Sequence, residues 1–159
     1  NKKENNSLFQ ILTNDINIAK NLIDKKYLFL KNNIIVKSIT RHQLNFFLCF
    51  SDYTISFISP SYARIASSPT KISESLAFGI PIISNSGYGD IEYIINKFNC
   101  GYLIKNFKDD ELINIVDKMI NYSNFNKENI IYTTKKNYHI KNAAEKYNNI
   151  YKKLININE

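Results

Sequence analysis

Short apolar runs rich in β-branched residues recur along the chain: LFQIL (8 to 12), NIIVKSI (33 to 39), YTISFI (53 to 58), IPIISN (80 to 85) and GYLIK (101 to 105). Near-continuous hydrophobicity of this kind suits strands covered on both faces. Between and after them lie segments of helical period, 16 to 30, 41 to 50, 69 to 78, 90 to 98 and 109 to 121. The alternation predicts an α/β fold, a doubly wound parallel sheet of about five strands joined by right-handed crossovers. Two further helical stretches, 127 to 135 and 139 to 155, have no strand between them, so a helical C-terminal tail is expected. A length of 159 residues leaves room for one substantial core, which favours a single domain over residues 1 to 159.

Two helix starts are strongly marked. Ser68-Pro69-Thr70 offers an N-cap serine followed by a proline at the first helical position, where a missing N–H costs nothing, and Gly79 stands at the other end as a stop. Asp90 is the expected cap of the next helix, in which Ile91, Ile94, Ile95 and Phe98 form one apolar stripe. Both helices follow a strand closely, so their first turns belong at the carboxyl edge of the sheet, where free amides and the positive dipole end attract an anion. Lys71, Glu74 and Ser75 share a face of the first helix by spacing. That arrangement suits a nucleotide diphosphate, with amides and Lys71 for phosphate and a carboxylate for two ribose hydroxyls; it equally suits a solvated Lys71–Glu74 pair. The glycines of Ser86-Gly87-Tyr88-Gly89-Asp90 permit close backbone approach to a ligand, or simply make a tight turn.

Charge and composition narrow the partners. The net charge of +7 is compatible with nucleic acid, anionic lipid or phosphate-bearing small molecules, but it is spread along the chain, which argues against nucleic acid. The stretch from Lys127 to Lys153 is enriched, with seven lysines and two glutamates interleaved with Tyr132, Tyr138, Tyr147 and Tyr151. It reads as a solvated helical surface or as a peripheral contact with anionic lipid. Cys49 and Cys100 are isolated in apolar surroundings, as for two buried thiols in a reducing compartment, and His42 and His139 have no neighbour at ligand spacing. No metal and no cofactor are expected. The first residues lack a signal-peptide pattern, which points to the cytoplasm, with the inner face of the membrane as a possible station.

Ala66-Ser-Ser-Pro-Thr-Lys-Ile-Ser-Glu-Ser-Leu-Ala-Phe-Gly-Ile-Pro-Ile-Ile, followed by Asn85-Ser-Gly-Tyr-Gly-Asp90, resembles the donor-binding domain of GT-B fold glycosyltransferases of group 1, the retaining, glycogen-synthase-like set. Ser51-Asp52 before the third strand and Asn99-Cys-Gly-Tyr-Leu at the fifth extend the likeness across most of residues 8 to 155.

The resemblance implies a Rossmann-like domain that binds a nucleotide diphosphate sugar and serves transfer of the sugar to an acceptor hydroxyl, as in cell-surface polysaccharide synthesis. It implies that Glu74 holds the ribose, that Ser67, Ser68, Thr70 and Lys71 lie along the diphosphate, and that Gly87, Tyr88, Gly89 and Asp90 line the sugar side. The family often has a second carboxylate eight positions before the ribose-binding one, and that position here is Ala66, so no catalytic residue is assigned. The acceptor domain expected at the N-terminal side is not in this sequence, so the chain reads as the C-terminal portion of a two-domain enzyme, inactive alone, and the resemblance implies that its final helix crosses back to pack on that partner domain. Two other readings share the fold: a nucleotide-binding module without catalysis, and a sugar-nucleotide epimerase.

Overall fold

The computed structural model describes residues 7–59 and 61–156, which divide into two compact units, residues 1–47 and 48–159. In the first unit, β1 (Phe9–Leu12) and β2 (Ile34–Lys37) pair in parallel, with Phe9 opposite Ile34 and Leu12 opposite Lys37. Their crossover is α1 (Ile16–Lys26), shorter than its hydrophobic period suggests. Residues Leu28–Asn33 tighten into a 3-10 helix instead, and the Tyr27 N–H closes α1 on the Ile23 carbonyl at 2.8 Å. The next helix, α2 (Arg41–Cys49), crosses the division between the units.

The second unit holds β3 (Thr54–Ser56), β4 (Ile82–Asn85) and β5 (Gly101–Ile104), all parallel, in the order β3-β4-β5. All five expected strands are present; ladder bonds group them as a parallel pair in the first unit and a parallel triplet in the second, rather than as one sheet of five. Central β4 is buried at every position, as a strand covered on both faces must be. Ile82 points into a core built by α3 (Thr70–Ala77), α4 (Ile91–Phe98) and α6 (Lys127–Tyr138), with Ile72, Leu76, Ile91, Ile94, Ile95, Phe98 and Ile130 all buried. Ile83, one residue on, points the other way to Ile104 and to Ile115 of α5 (Asp109–Asn121). Each fully buried Ile or Leu in these layers stabilises the fold by about 2 kcal/mol relative to exposure.

α3 ends as the sequence indicates. Gly79 adopts φ +72°, its N–H bonds to Leu76 O at 2.9 Å, and the Ile80 N–H reaches Ser75 O at 3.1 Å, which is a Schellman motif. α6 closes at Tyr138, and α7 (Ile140–Asn156) restarts after an extended His139, whose Nδ1 accepts the Lys141 N–H at 3.2 Å. That acceptor satisfies an early α7 amide and accounts for a break made without glycine or proline.

Candidate functional site

The loop 57–69 leads from β3 into α3, and the loop 86–90 leads from β4 into α4, so both helices start at the carboxyl edge of the three-stranded sheet. Three ties hold the loops together. Asn85, which is buried, accepts the Ile58 N–H through Oδ1 (2.8 Å) and donates through Nδ2 to Ile58 O and Ser86 O (2.9 Å each). Its amide thus continues the β3–β4 ladder with a side chain where the two backbones part. The Gly89 N–H donates to Ile65 O at 2.7 Å, and the Ser68 hydroxyl donates to Asp90 Oδ1 at 3.4 Å. Gly89 is required twice over: its φ is +50°, and a Cβ there would stand 2.0 Å from Ser67 O.

The start of α3 differs in detail from the sequence expectation. Pro69 is the N-cap residue in an extended conformation, and Thr70 is the first helical residue. Ser68 does not cap α3, because its hydroxyl is drawn to Asp90 across the rim. Among the described residues no side chain caps α3, and its first turn carries no acid. Thr70 and Glu74, one turn apart, lie opposite the buried stripe of Ile72 and Leu76; Thr70 and Lys71 are exposed and Glu74 is half-buried. Ser75 leaves the face expected for it: it is buried, and its hydroxyl donates back to Lys71 O at 3.0 Å.

Asp90 does occupy the N-cap position of α4, yet its carboxylate faces Ser68 and makes no capping bond. Glu92, in the first turn, accepts the Gly87 N–H at 3.3 Å instead, a contact that the sequence reading did not single out. Gly87, at φ +90°, and Gly89 are exposed on the loop, and Ser67 is half-buried with its carbonyl against Gly89. Tyr88, expected on the sugar side, sends its ring into the core, leaving its backbone to shape the loop. Its phenol lies 2.6 Å from the Ser84 hydroxyl, which donates to Ser56 O at 2.8 Å, so the phenol supplies the proton to Ser84.

A cavity of about 200 Å³ opens between the two helix starts, bordered by Ser68, Thr70, Ser73, Asp90 and Tyr138, with Ile91 and Ile94 at its apolar side. Burial, then the Asp90 charge, pushes the Tyr138 phenol up to about 12, so it stays neutral and keeps its proton beside the rim. Tyr138 comes from the end of α6, and nothing in its local sequence indicates this neighbourhood. Among the described residues no three His, Cys, Asp or Glu side chains come together as a metal site. Cys100 is buried as expected, its thiol pushed up to about 12 by burial, whereas Cys49 at the end of α2 is exposed.

Over residues 19–146 the chain matches the family described as glycosyl transferases, group 1. The chain belongs to that family. No curated protein matches it significantly. The matched span contains the whole rim from Ser67 to Asp90, and Tyr138 as well. In this glycosyltransferase the rim thus joins two helix starts of unlike charge around a small opening, which Lys71 and Glu74 do not line. One is bare and carries a lysine, and the other carries Asp90 and Glu92.

Proposed function

We propose that the α3–α4 rim is the donor site of a retaining, GT-B type glycosyltransferase, and that its donor is a nucleotide diphosphate sugar. The observation that carries this reading is the uncapped, acid-free first turn of α3, with Thr70 and Lys71 at its opening and Glu74 one turn further on. First-turn amides and Lys71 would take the diphosphate, whose charge the dipole end favours. Glu74 would accept hydrogen bonds from two ribose hydroxyls. Ser67 and Ser68 would border the phosphates, and Gly87, Gly89 and Asp90 would meet the hydroxyls of the sugar.

In the reaction the bond between the anomeric carbon and the diphosphate oxygen breaks, the acceptor oxygen bonds to that carbon, and the acceptor hydroxyl gives its proton to the leaving diphosphate. Negative charge grows on the leaving diphosphate. Lys71 and the α3 amides, held in place before the reaction, would stabilise it there without a metal. The acceptor wall would come from an N-terminal domain of the same polypeptide, and the fragment alone would bind donor without transferring sugar.

The test is a thermal-shift panel of nucleoside diphosphates and their sugar conjugates, because a ligand that binds only the folded state raises Tm. At least one base should raise it in the wild type and fail to do so in Glu74→Ala, each shift being read against that protein's own unliganded Tm. A panel in which no diphosphate shifts Tm would overturn the assignment. A second reading, a nucleotide-binding module without catalysis, is favoured by Ala66, which puts no carboxylate eight positions before Glu74. Sugar transfer by the two-domain polypeptide would dismiss it.

A further inference from the structure

Among the described residues no helix is long and apolar enough to cross a membrane. The chemistry still without a role lies instead at the α3–α4 rim, on Tyr138. Three other tyrosines that pack in or against the core end their hydroxyls on a partner: Tyr53 at the Ser123 hydroxyl, Tyr88 at that of Ser84, and Tyr102 at Lys118 O. A tyrosine held in a protein interior ordinarily finds such a partner. Tyr138 is anchored by its ring as well, edge-to-face with buried Phe98 at 6.3 Å between centroids. Yet among the described residues no hydrogen bond engages its hydroxyl.

What Tyr138 borders is the cavity of about 200 Å³ between the helix starts, with Ser68, Thr70 and Asp90 on the polar side and Ile91 and Ile94 on the apolar side. Cavities that enclose a whole drug-sized ligand run from roughly 300 Å³ upward, so this one suits a single ring-sized group. Lys71 and Glu74 do not line it, whereas Thr70 belongs both to its border and to the open first turn of α3. The cavity therefore continues the rim past the place proposed for the diphosphate. Its polar groups are complementary in kind. The Asp90 carboxylate can only accept hydrogen bonds, and the Tyr138 phenol, which burial and the Asp90 charge keep protonated, can donate one. A donor and an acceptor beside an apolar wall match a sugar ring, whose hydroxyls both donate and accept and whose carbons present C–H faces. We infer that Tyr138 is a specificity-determining residue, its hydroxyl donating to the donor sugar while Asp90 accepts from the same ring, a role that rests on the rim being the donor site.

Tyr138→Phe removes the hydroxyl and keeps the ring on Phe98. Titration calorimetry compares this variant with the wild type, using uridine, guanosine, adenosine and thymidine diphosphates and their glucose, galactose and mannose conjugates. The conjugate that the wild type binds best should bind the variant about fivefold more weakly, as for loss of one hydrogen bond, and the matching diphosphate should bind both proteins equally. The unliganded Tm should stay at the wild-type value, since the fold uses the ring and not the hydroxyl. Tyr132→Phe, which removes an exposed hydroxyl from the same helix, should leave both affinities unchanged. If diphosphate binds and the conjugate binds wild type and Tyr138→Phe alike, the role of Tyr138 is overturned and the donor site stands. Equal weakening of diphosphate and conjugate also overturns it, by making Tyr138 a support of the rim. Absence of any diphosphate binding to the wild type removes the donor site and this role together.

Discussion

Four helices of the second unit open in different ways. α4 begins at Asp90 and carries Glu92 in its first turn, α5 begins with Asp109, Asp110 and Glu111, and α6 is capped by Asn126, whose side chain accepts the Asn129 N–H at 2.7 Å. Each has acid or a cap at its positive end. α3 has neither, although its start lies on the same rim as that of α4. An acid in the first turn typically contributes a few tenths to about 1 kcal/mol to a helix, so α3 forgoes a stabilisation that its neighbours use. α7 also opens without an acid, so the contrast holds for the helix starts around the rim and the core; on the proposed reading α3 is the end left open to an external anion, and α4 the end whose carboxylates suit neutral, hydroxyl-bearing groups.

The largest effect should come from forcing the two starts apart. Gly89→Ala places a Cβ against Ser67 O and in a left-handed conformation, so it should cost about 3 kcal/mol and lower Tm by about 10 °C. Calorimetric melting measures the first effect, and loss of diphosphate binding should accompany it. A variant that melts and binds like the wild type would show that the loops need not touch.

Next in size, Lys71→Glu gives α3 the first-turn acid that α4, α5 and α6 possess. Diphosphate affinity should fall by about 2 kcal/mol, roughly thirtyfold, because a cation is lost and an anion placed at the open turn. Lys118→Glu, an equal charge change on exposed α5, should leave titration calorimetry nearly unchanged. Equal losses in the two variants would reduce the effect to net charge and remove the distinction between the helix starts.

Asp90→Asn separates the two halves of the rim with a smaller effect. Nucleotide sugar should bind about tenfold more weakly, through loss of a charged acceptor for sugar hydroxyls. The nucleoside diphosphate without sugar should bind about threefold more tightly, since one repelling carboxylate is gone. Parallel changes for the two ligands would place Asp90 outside the sugar side.

Which parts of this arrangement were legible in the sequence follows from the range of the forces involved. The five strands and seven helices came from burial periodicity and from stops such as Gly79, signals that are local and repeated. The shared rim was legible too, because topology alone brings the starts of α3 and α4 to one sheet edge. What escaped was decided by partners distant in sequence. Ser68 looked like a cap and is taken by Asp90, 22 residues away. Tyr88 was expected on the sugar side by resemblance, yet Ser84 and the core hold it. Tyr138 reaches the cavity from the far end of α6, and Asn85, one polar residue at the end of an apolar run, gave no sign that it clamps Ile58. Cys49 looked buried by its apolar neighbours, but its place at the end of α2 leaves it exposed.

The smallest effect distinguishes an acid that serves the fold from one kept for a ligand. Glu111, at the start of α5, accepts the Lys105 N–H at 2.9 Å and the Asn106 N–H at 2.7 Å, and these backbone bonds hold its carboxyl below the usual range. A carboxylate with a lowered folded pKa contributes stability above its unfolded pKa of about 4.3, and that contribution is lost as pH falls through the folded value. Glu111→Gln should therefore melt slightly below the wild type at neutral pH, and the difference should vanish in acid. Glu74→Gln should act instead on the nucleotide, weakening diphosphate binding about threefold in titration calorimetry at neutral pH. Unchanged affinity there would remove Glu74 from the proposed ribose site.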